Sequence, residues 1–303
     1  MTRMRALRPP WKRRGWWFAA LAVLLAAGGA GLACWFRPPA QPPWEAVLIP
    51  PVLVEDKGAI QAVDRQIPSA PGPLPAVLTL PPGRGPFPIV IVLHDCGAAG
   101  HDGFGWPARL TGWGYAVLEP DSLTPRHLAL LCDPGRAPDL TPARRLEDVA
   151  AALAWSRTRG DIDPRRVALL GHGHGGATAV LASNTSHADN RIRAVIDYDG
   201  ACEGARSARP VPLLVLAGER DGRGIPASTC ADLARRSGED GTIEVHTYPS
   251  LGANLENWAA GGRARYRRVL EYDPVAAADG YERVRAFLDR WLARQDAGTG
   301  TGR

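Results

Sequence analysis

The chain has 303 residues, 45% of them hydrophobic, which is enough to bury the core of one large domain and too apolar for intrinsic disorder. Its formal charge of +5 sits at one end: seven of the 36 basic residues fall within residues 1–37, which hold no acid. Residues 38–303 therefore carry 29 basic against 31 acidic residues, a net of −2, and this balance argues against a nucleic-acid partner.

In chain order, residues 1–14 form a basic cytoplasmic segment that ends at Arg14. Residues 15–36 follow, 22 positions without a charge, rich in Ala and Leu and opened by Trp16 and Trp17. As a helix this stretch spans the roughly 30 Å hydrocarbon core of a bilayer. The arginines before it place that end in the cytoplasm and the rest of the chain outside, and Trp35, Phe36 and Arg37 read as a second interfacial belt. The expectation is a transmembrane anchor in the inner (plasma) membrane. The rival reading is a signal peptide cut after Ala30 or Ala33, which gives a secreted or periplasmic domain. Cys34 is a poor lipoprotein site, because the position three before it is Gly31.

Residues 37–44 are a proline-rich linker of the extended type. Residues 45–294 then alternate buried strands with amphipathic helices. Continuous apolar runs at Pro88–Leu93, Tyr115–Leu118, Val167–Leu170, Ala194–Ile196 and Leu213–Leu216 predict parallel strands covered on both faces, with Ile243–Tyr248 as a later one. A helix is predicted after Thr141-Pro142, with Thr141 as its cap and Leu146, Val149, Ala150 and Leu153 on one stripe. Val284, Phe287, Leu288 and Trp291 repeat that spacing near the end. The fold class is α/β, a doubly wound and mostly parallel sheet with helices on both faces. Sites in such sheets form beyond the carboxyl ends of the strands. Residues 295–303 make a disordered tail.

Beyond Cys34 the chain has Cys96, Cys132, Cys202 and Cys230, which allow three pairings. Export makes disulfides the expectation.

The run Leu169-Leu170-Gly171-His172-Gly173-His174-Gly175-Gly176 has the frame of a G-x-S-x-G nucleophile elbow. The central position holds Gly173, which has no side chain and cannot attack anything. An elbow residue sits at positive φ, where a residue with a Cβ is strained by roughly 1–3 kcal/mol and glycine is not. The substitution keeps the turn and discards the reaction.

The order His94-Asp95-Cys96-Gly97, Glu119-Pro120-Asp121-Ser122 with Pro125-Arg126, the elbow, Gly218-Glu219-Arg220-Asp221 and Tyr248-Pro249-Ser250 resembles the dienelactone hydrolase group of the α/β-hydrolases. The likeness covers residues 45–294. It implies the α/β-hydrolase fold and hydrolysis of ester or lactone bonds by a nucleophile–acid–histidine triad in that chain order. Asp221 matches the acid and reads as a relic of it. Gly173 matches the nucleophile, and the histidine position falls on Ala253, or on Asn254 with a shift of one. No histidine follows His246. The oxyanion hole maps to the backbone N–H groups of His174 and Cys96, and where the family has His-Gly this chain has His94-Asp95. A carboxylate at 95 opposes a developing negative charge if it points inward. Neighbouring elements in the family sheet imply the pairings Cys96–Cys132 and Cys202–Cys230.

The resulting expectation is an exported dienelactone hydrolase-like protein with a degenerate triad, a pseudoenzyme that binds a small ligand or a protein partner. Two other readings stay open: a weak ester or lactone hydrolase using Ser122, Cys96 or an activated water near Asp221, and a metal-binding module at His172 and His174. The sequence calls for no cofactor, no resident metal and no nucleic acid. Its membrane partner is reached through the N-terminal helix.

Overall fold

The computed structural model describes residues 61–69, 72–97, 105–128, 131, 140–184, 192–202, 211–219, 227–236, 242–249 and 273–293. The chain divides into Met1–Leu53 and Val54–Arg303, and every described residue belongs to the second unit. The segment 15–36, the linker 37–44 and the tail 295–303 lie outside the described residues. Among the described residues no helix is long and apolar enough to cross a membrane.

The elements are β1 (Gln61–Ile67), β2 (Leu74–Leu80), β3 (Phe87–Leu93), α1 (Trp106–Gly112), β4 (Ala116–Pro120), α2 (Pro142–Ser156), β5 (Ile162–His172), α3 (His174–Ala182), β6 (Ile192–Tyr198), β7 (Leu213–Gly218), α4 (Ala227–Arg236), β8 (Ile243–Tyr248) and α5 (Pro274–Leu292). They build one eight-stranded sheet in the order β1-β2-β4-β3-β5-β6-β7-β8. Strands β3 to β8 pair in parallel. β1 and β2 add an antiparallel edge.

The five apolar runs and the later segment Ile243–Tyr248 all fall on strands, and β5 begins five residues before its apolar centre. No strand was expected at the two antiparallel positions, β1 and β2. β2 alternates buried with half-buried positions, as a strand covered on one face should, and β1 carries Asp64, Arg65 and Gln66. Charged side chains on an edge strand discourage pairing with another chain.

Two apolar cores lie on opposite faces of the sheet. One packs Val149 and Leu153 of α2, Val180 of α3 and Leu233 of α4 against Ile91, Leu169 and Val215. The other packs Trp106 and Leu110 of α1 and Val284, Phe287 and Leu288 of α5 against Val90, Leu170 and Leu214. The sheet is thus covered on both sides, which is why its central strands read as unbroken apolar runs. Thr141 caps α2 as expected, its hydroxyl accepting the Arg144 N–H at 3.3 Å. Asp273 caps α5 by accepting the N–H groups of Val275 and Ala276.

Candidate functional site

The elbow forms where β5 ends at His172 and α3 begins at His174. Gly173 lies between them at φ 48° and ψ −109°, a positive φ that favours glycine. Its N–H donates to the Tyr198 carbonyl at 2.8 Å and its carbonyl accepts the Ala177 N–H at 2.9 Å, so the turn is tied to β6 and to its own helix. A Cβ on Gly175 would run into the Leu93 carbonyl, which explains how α3 lies so close to the end of β3.

A Cβ built on Gly173 would land on the carboxylate of Asp95. Asp95 comes from the loop after β3, is 8% exposed, and its Oδ1 accepts the His174 backbone N–H at 2.8 Å. That N–H is the donor the resemblance assigns to the oxyanion hole. One carboxylate therefore fills both the place of the nucleophilic side chain and the mouth of one oxyanion donor. It also does local structural work. Gly173 has no side chain to cap α3, and Asp95 supplies a cap from another strand. The positive end of the helix favours a negative charge there.

Below this pair a buried arginine joins three loops. Arg145 on α2 donates from Nε to Ser122 Oγ (3.2 Å) and from Nη1 to the His94 carbonyl (3.0 Å) and to His174 Nδ1 (3.1 Å). Since Nδ1 of His174 accepts, its Nε2 carries the proton and donates to the Leu140 carbonyl at 3.0 Å. His94 has the opposite tautomer: Nε2 accepts the Ser122 N–H at 3.1 Å and Nδ1–H donates to the Asp95 carbonyl at 2.8 Å. Burial, reinforced by the Arg145 charge, lowers His94 to about 3 and His174 to about 4. Both rings are neutral at ordinary pH and act as fixed struts. The β4 loop is held further by Arg126, which pairs through both terminal nitrogens with Asp148 at 3.0 Å and donates to the Ser122 carbonyl at 2.8 Å.

His172, on the other flank of the elbow, points into the opposite core. Its Nε2 accepts the Trp106 indole N–H at 3.0 Å, and its ring stacks on Tyr198 with centroids 5.2 Å apart. This corrects the reading of His172 and His174 as a metal pair. Successive side chains around the turn leave on opposite sides of the sheet, so the two imidazoles serve separate networks. Ser122 is also corrected as a substitute nucleophile: it is fully buried, and its hydroxyl accepts from Arg145 instead of facing a cleft.

Cys96 follows Asp95 and is disulfide-bonded, so it is no thiolate nucleophile. Its partner lies outside the described residues, as do Cys132, Asp221 and Ala253. Cys202 and Cys230 are joined to each other, the expected second pairing. His246 on β8 offers no substitute base. Its Nε2 accepts from Arg283 Nη1 on α5 at 3.2 Å, and burial together with that guanidinium lowers its pKa.

Sequence reasoning missed Arg145 and Asp148 as site supports. A signal was present. Both fall on the buried stripe of α2 beside Val149 and Ala152, and a charge on an apolar stripe calls for a buried partner.

The dienelactone hydrolase family model matches residues 74–292, and the chain belongs to that family. Among curated proteins it is similar to the "Putative carboxymethylenebutenolidase" of Methylorubrum extorquens, 26% identical over 263 residues that make up 79% of this chain and 84% of the relative. Among solved structures it resembles a dienelactone hydrolase-like promiscuous phosphotriesterase from metagenomic libraries, with TM-score 0.62 and 18% identity over 78% of this chain and all of that one. It also resembles a dienelactone hydrolase from Anabaena variabilis, with TM-score 0.59 and 16% identity over 78% of this chain and all of that one. The α/β-hydrolase fold is thereby established for this domain.

Proposed function

We propose that this protein is a non-hydrolytic member of the dienelactone hydrolase family, an exported domain that keeps the hydrolase scaffold to bind a small ligand or a protein partner. The observation that carries the reading is the inward carboxylate of Asp95 on the His174 N–H, in the space a nucleophile's side chain needs. An ester carbonyl arriving there meets no nucleophile, and the donor that should stabilise its oxyanion already holds a negative charge. In the sequence, the histidine position is Ala253. Loss of triad members in such a site typically removes on the order of 10⁶ in turnover.

Export is part of the same proposal. The uncharged segment 15–36 serves as the anchor and the disulfides suit an oxidising compartment. The Leu131 N–H donates to the Cys96 carbonyl at 2.9 Å, which favours the next residue, Cys132, as the partner of Cys96.

The test is turnover of aryl esters and lactones, with covalent labelling by a fluorophosphonate probe. The wild-type protein is expected to be inert to both. The triple variant Asp95→Gly, Gly173→Ser, Ala253→His vacates the hole and restores the missing groups, and is expected to take up the label. Wild-type ester turnover that disappears in Asp221→Ala would overturn the reading.

A further inference from the structure

The two ends of the sheet differ in charge. The carboxyl ends carry the site, where Asp95, Glu119, Asp121, Asp148, Asp197, Asp199 and Glu219 outnumber Arg126, Arg144 and Arg145. The amino ends carry arginines. Arg84 lies in the turn before β3, Arg157 and Arg159 follow α2, Arg165 and Arg166 lie near the start of β5, and Arg193 is the second residue of β6. Four described carboxylates lie at the same end, each beside an arginine: Asp161 holds Arg159, Asp163 holds Arg166, Asp289 faces Arg285 and Glu244 faces Arg290. Arg84, Arg165 and Arg193 are exposed, and no carboxylate among the described residues pairs with them.

The backbone pushes this cluster outward. Phe87 pairs with Ile162, but Ile89 pairs with Val167, so residues 163–166 bulge from the ladder opposite Pro88 alone and present Arg165 to solvent. Arg193 Nε donates to the Arg165 carbonyl at 3.2 Å, which keeps the two side by side. Against this pole an open recess of about 330 Å³ is lined by residues that include Trp113, Tyr115, Arg166, Asp289 and Leu292. Trp113 is half-buried, and an indole beside arginines is a pattern that suits the bilayer headgroup region.

Chain direction adds a third observation. β1 pairs antiparallel with β2, and β2 pairs antiparallel with β4, so β1 enters the sheet at Gln61 from this same pole.

We infer that the amino-end pole, centred on Arg84, Arg165 and Arg193, is a docking surface for anionic phospholipid, which turns the Asp95 end of the sheet away from the bilayer. Each arginine near such a surface strengthens attraction several-fold at moderate salt. This surface requires neither a membrane anchor nor the loss of hydrolysis.

The experiment uses residues 54–303, which form a compact unit of their own and span the whole length of two solved chains of the same fold. Partitioning is measured on phosphatidylglycerol-rich vesicles and on pure phosphatidylcholine vesicles at low and high salt. Binding is expected on the anionic vesicles alone, weakening as salt rises, and falling at least tenfold, by order of magnitude, in Arg84→Glu/Arg165→Glu/Arg193→Glu. The three single variants, each lowering partitioning a few-fold, keep the test valid if the triple variant unfolds. Arg144→Glu, at the carboxyl end of the sheet, is expected to bind like wild type. Absence of binding to anionic vesicles, equal binding to phosphatidylcholine, or no change in the charge-reversed variants would overturn the assignment.

Discussion

The carboxylate of Asp95 and the backbone N–H of His174 meet at 2.8 Å across the top of the elbow, 79 residues apart in sequence. The carboxylate supplies the charge that the helix dipole favours, and it caps a helix whose own cap residue, Gly173, has no side chain to do so. Position 95 and position 173 are therefore one structural unit, and each makes sense only with the other.

That unit predicts a coupling of defined sign. Gly173→Ser alone must place a Cβ on the Asp95 carboxylate at a positive φ, and is expected to cost about 2–4 kcal/mol. Asp95→Gly alone removes a charged cap and is expected to cost about 1–2 kcal/mol. The double variant should be more stable than the sum of the two by about 1–2 kcal/mol, since the small residue at 95 makes room for the serine. Chemical denaturation of the four proteins measures this, and strict additivity would mean that the two positions do not compete for the same space.

The buried histidines set a pH dependence. His94 and His174 have folded-state values lowered to about 3 and about 4, below the ordinary 6.5 they regain on unfolding. The unfolded chain then binds more protons below about pH 6.5, so the contribution is complete above that pH. It is lost as pH falls toward the folded values, with a slope of about 1.4 kcal/mol per pH unit for each ring. Urea midpoints are expected to fall between pH 7 and pH 4.5. His94→Gln keeps a donor and an acceptor without the titration, and should show a shallower decline than wild type.

The Arg126–Asp148 pair carries an asymmetric prediction. Its side chains are 8% and 1% exposed. Asp148→Ala leaves a buried guanidinium and is expected to cost about 3–5 kcal/mol, while Arg126→Met/Asp148→Leu is expected to cost much less. Thermal unfolding of both compares them directly. A larger loss in the double variant would show that the pair itself, and not the relief of an orphaned charge, stabilises the β4 loop.

Much of the architecture was legible in the chain, because a parallel strand covered on both faces must be apolar throughout, and helices must show their stripe. Leu169 to Gly176 announced the elbow, and Thr141-Pro142 announced the start of α2. The antiparallel edge was not legible. β2 alternates buried with half-buried positions, and β1 holds an exposed Gln66 beside a buried Ile67, so neither reads as an unbroken apolar run. The arginine at 145 was visible as an anomaly on an apolar stripe, but its partners are 23, 29 and 51 residues away.

The sequence by itself determined that the elbow has no nucleophile, because the identity of a residue needs no coordinates. It also determined the family scaffold, since strand apolarity and turn glycines are local properties. Only the tertiary structure decided which way Asp95 points. That choice depends on how close the end of β3 comes to the start of α3, a distance set by packing between segments far apart in the chain. The same packing separated His172 from His174 and turned two adjacent imidazoles into members of different cores.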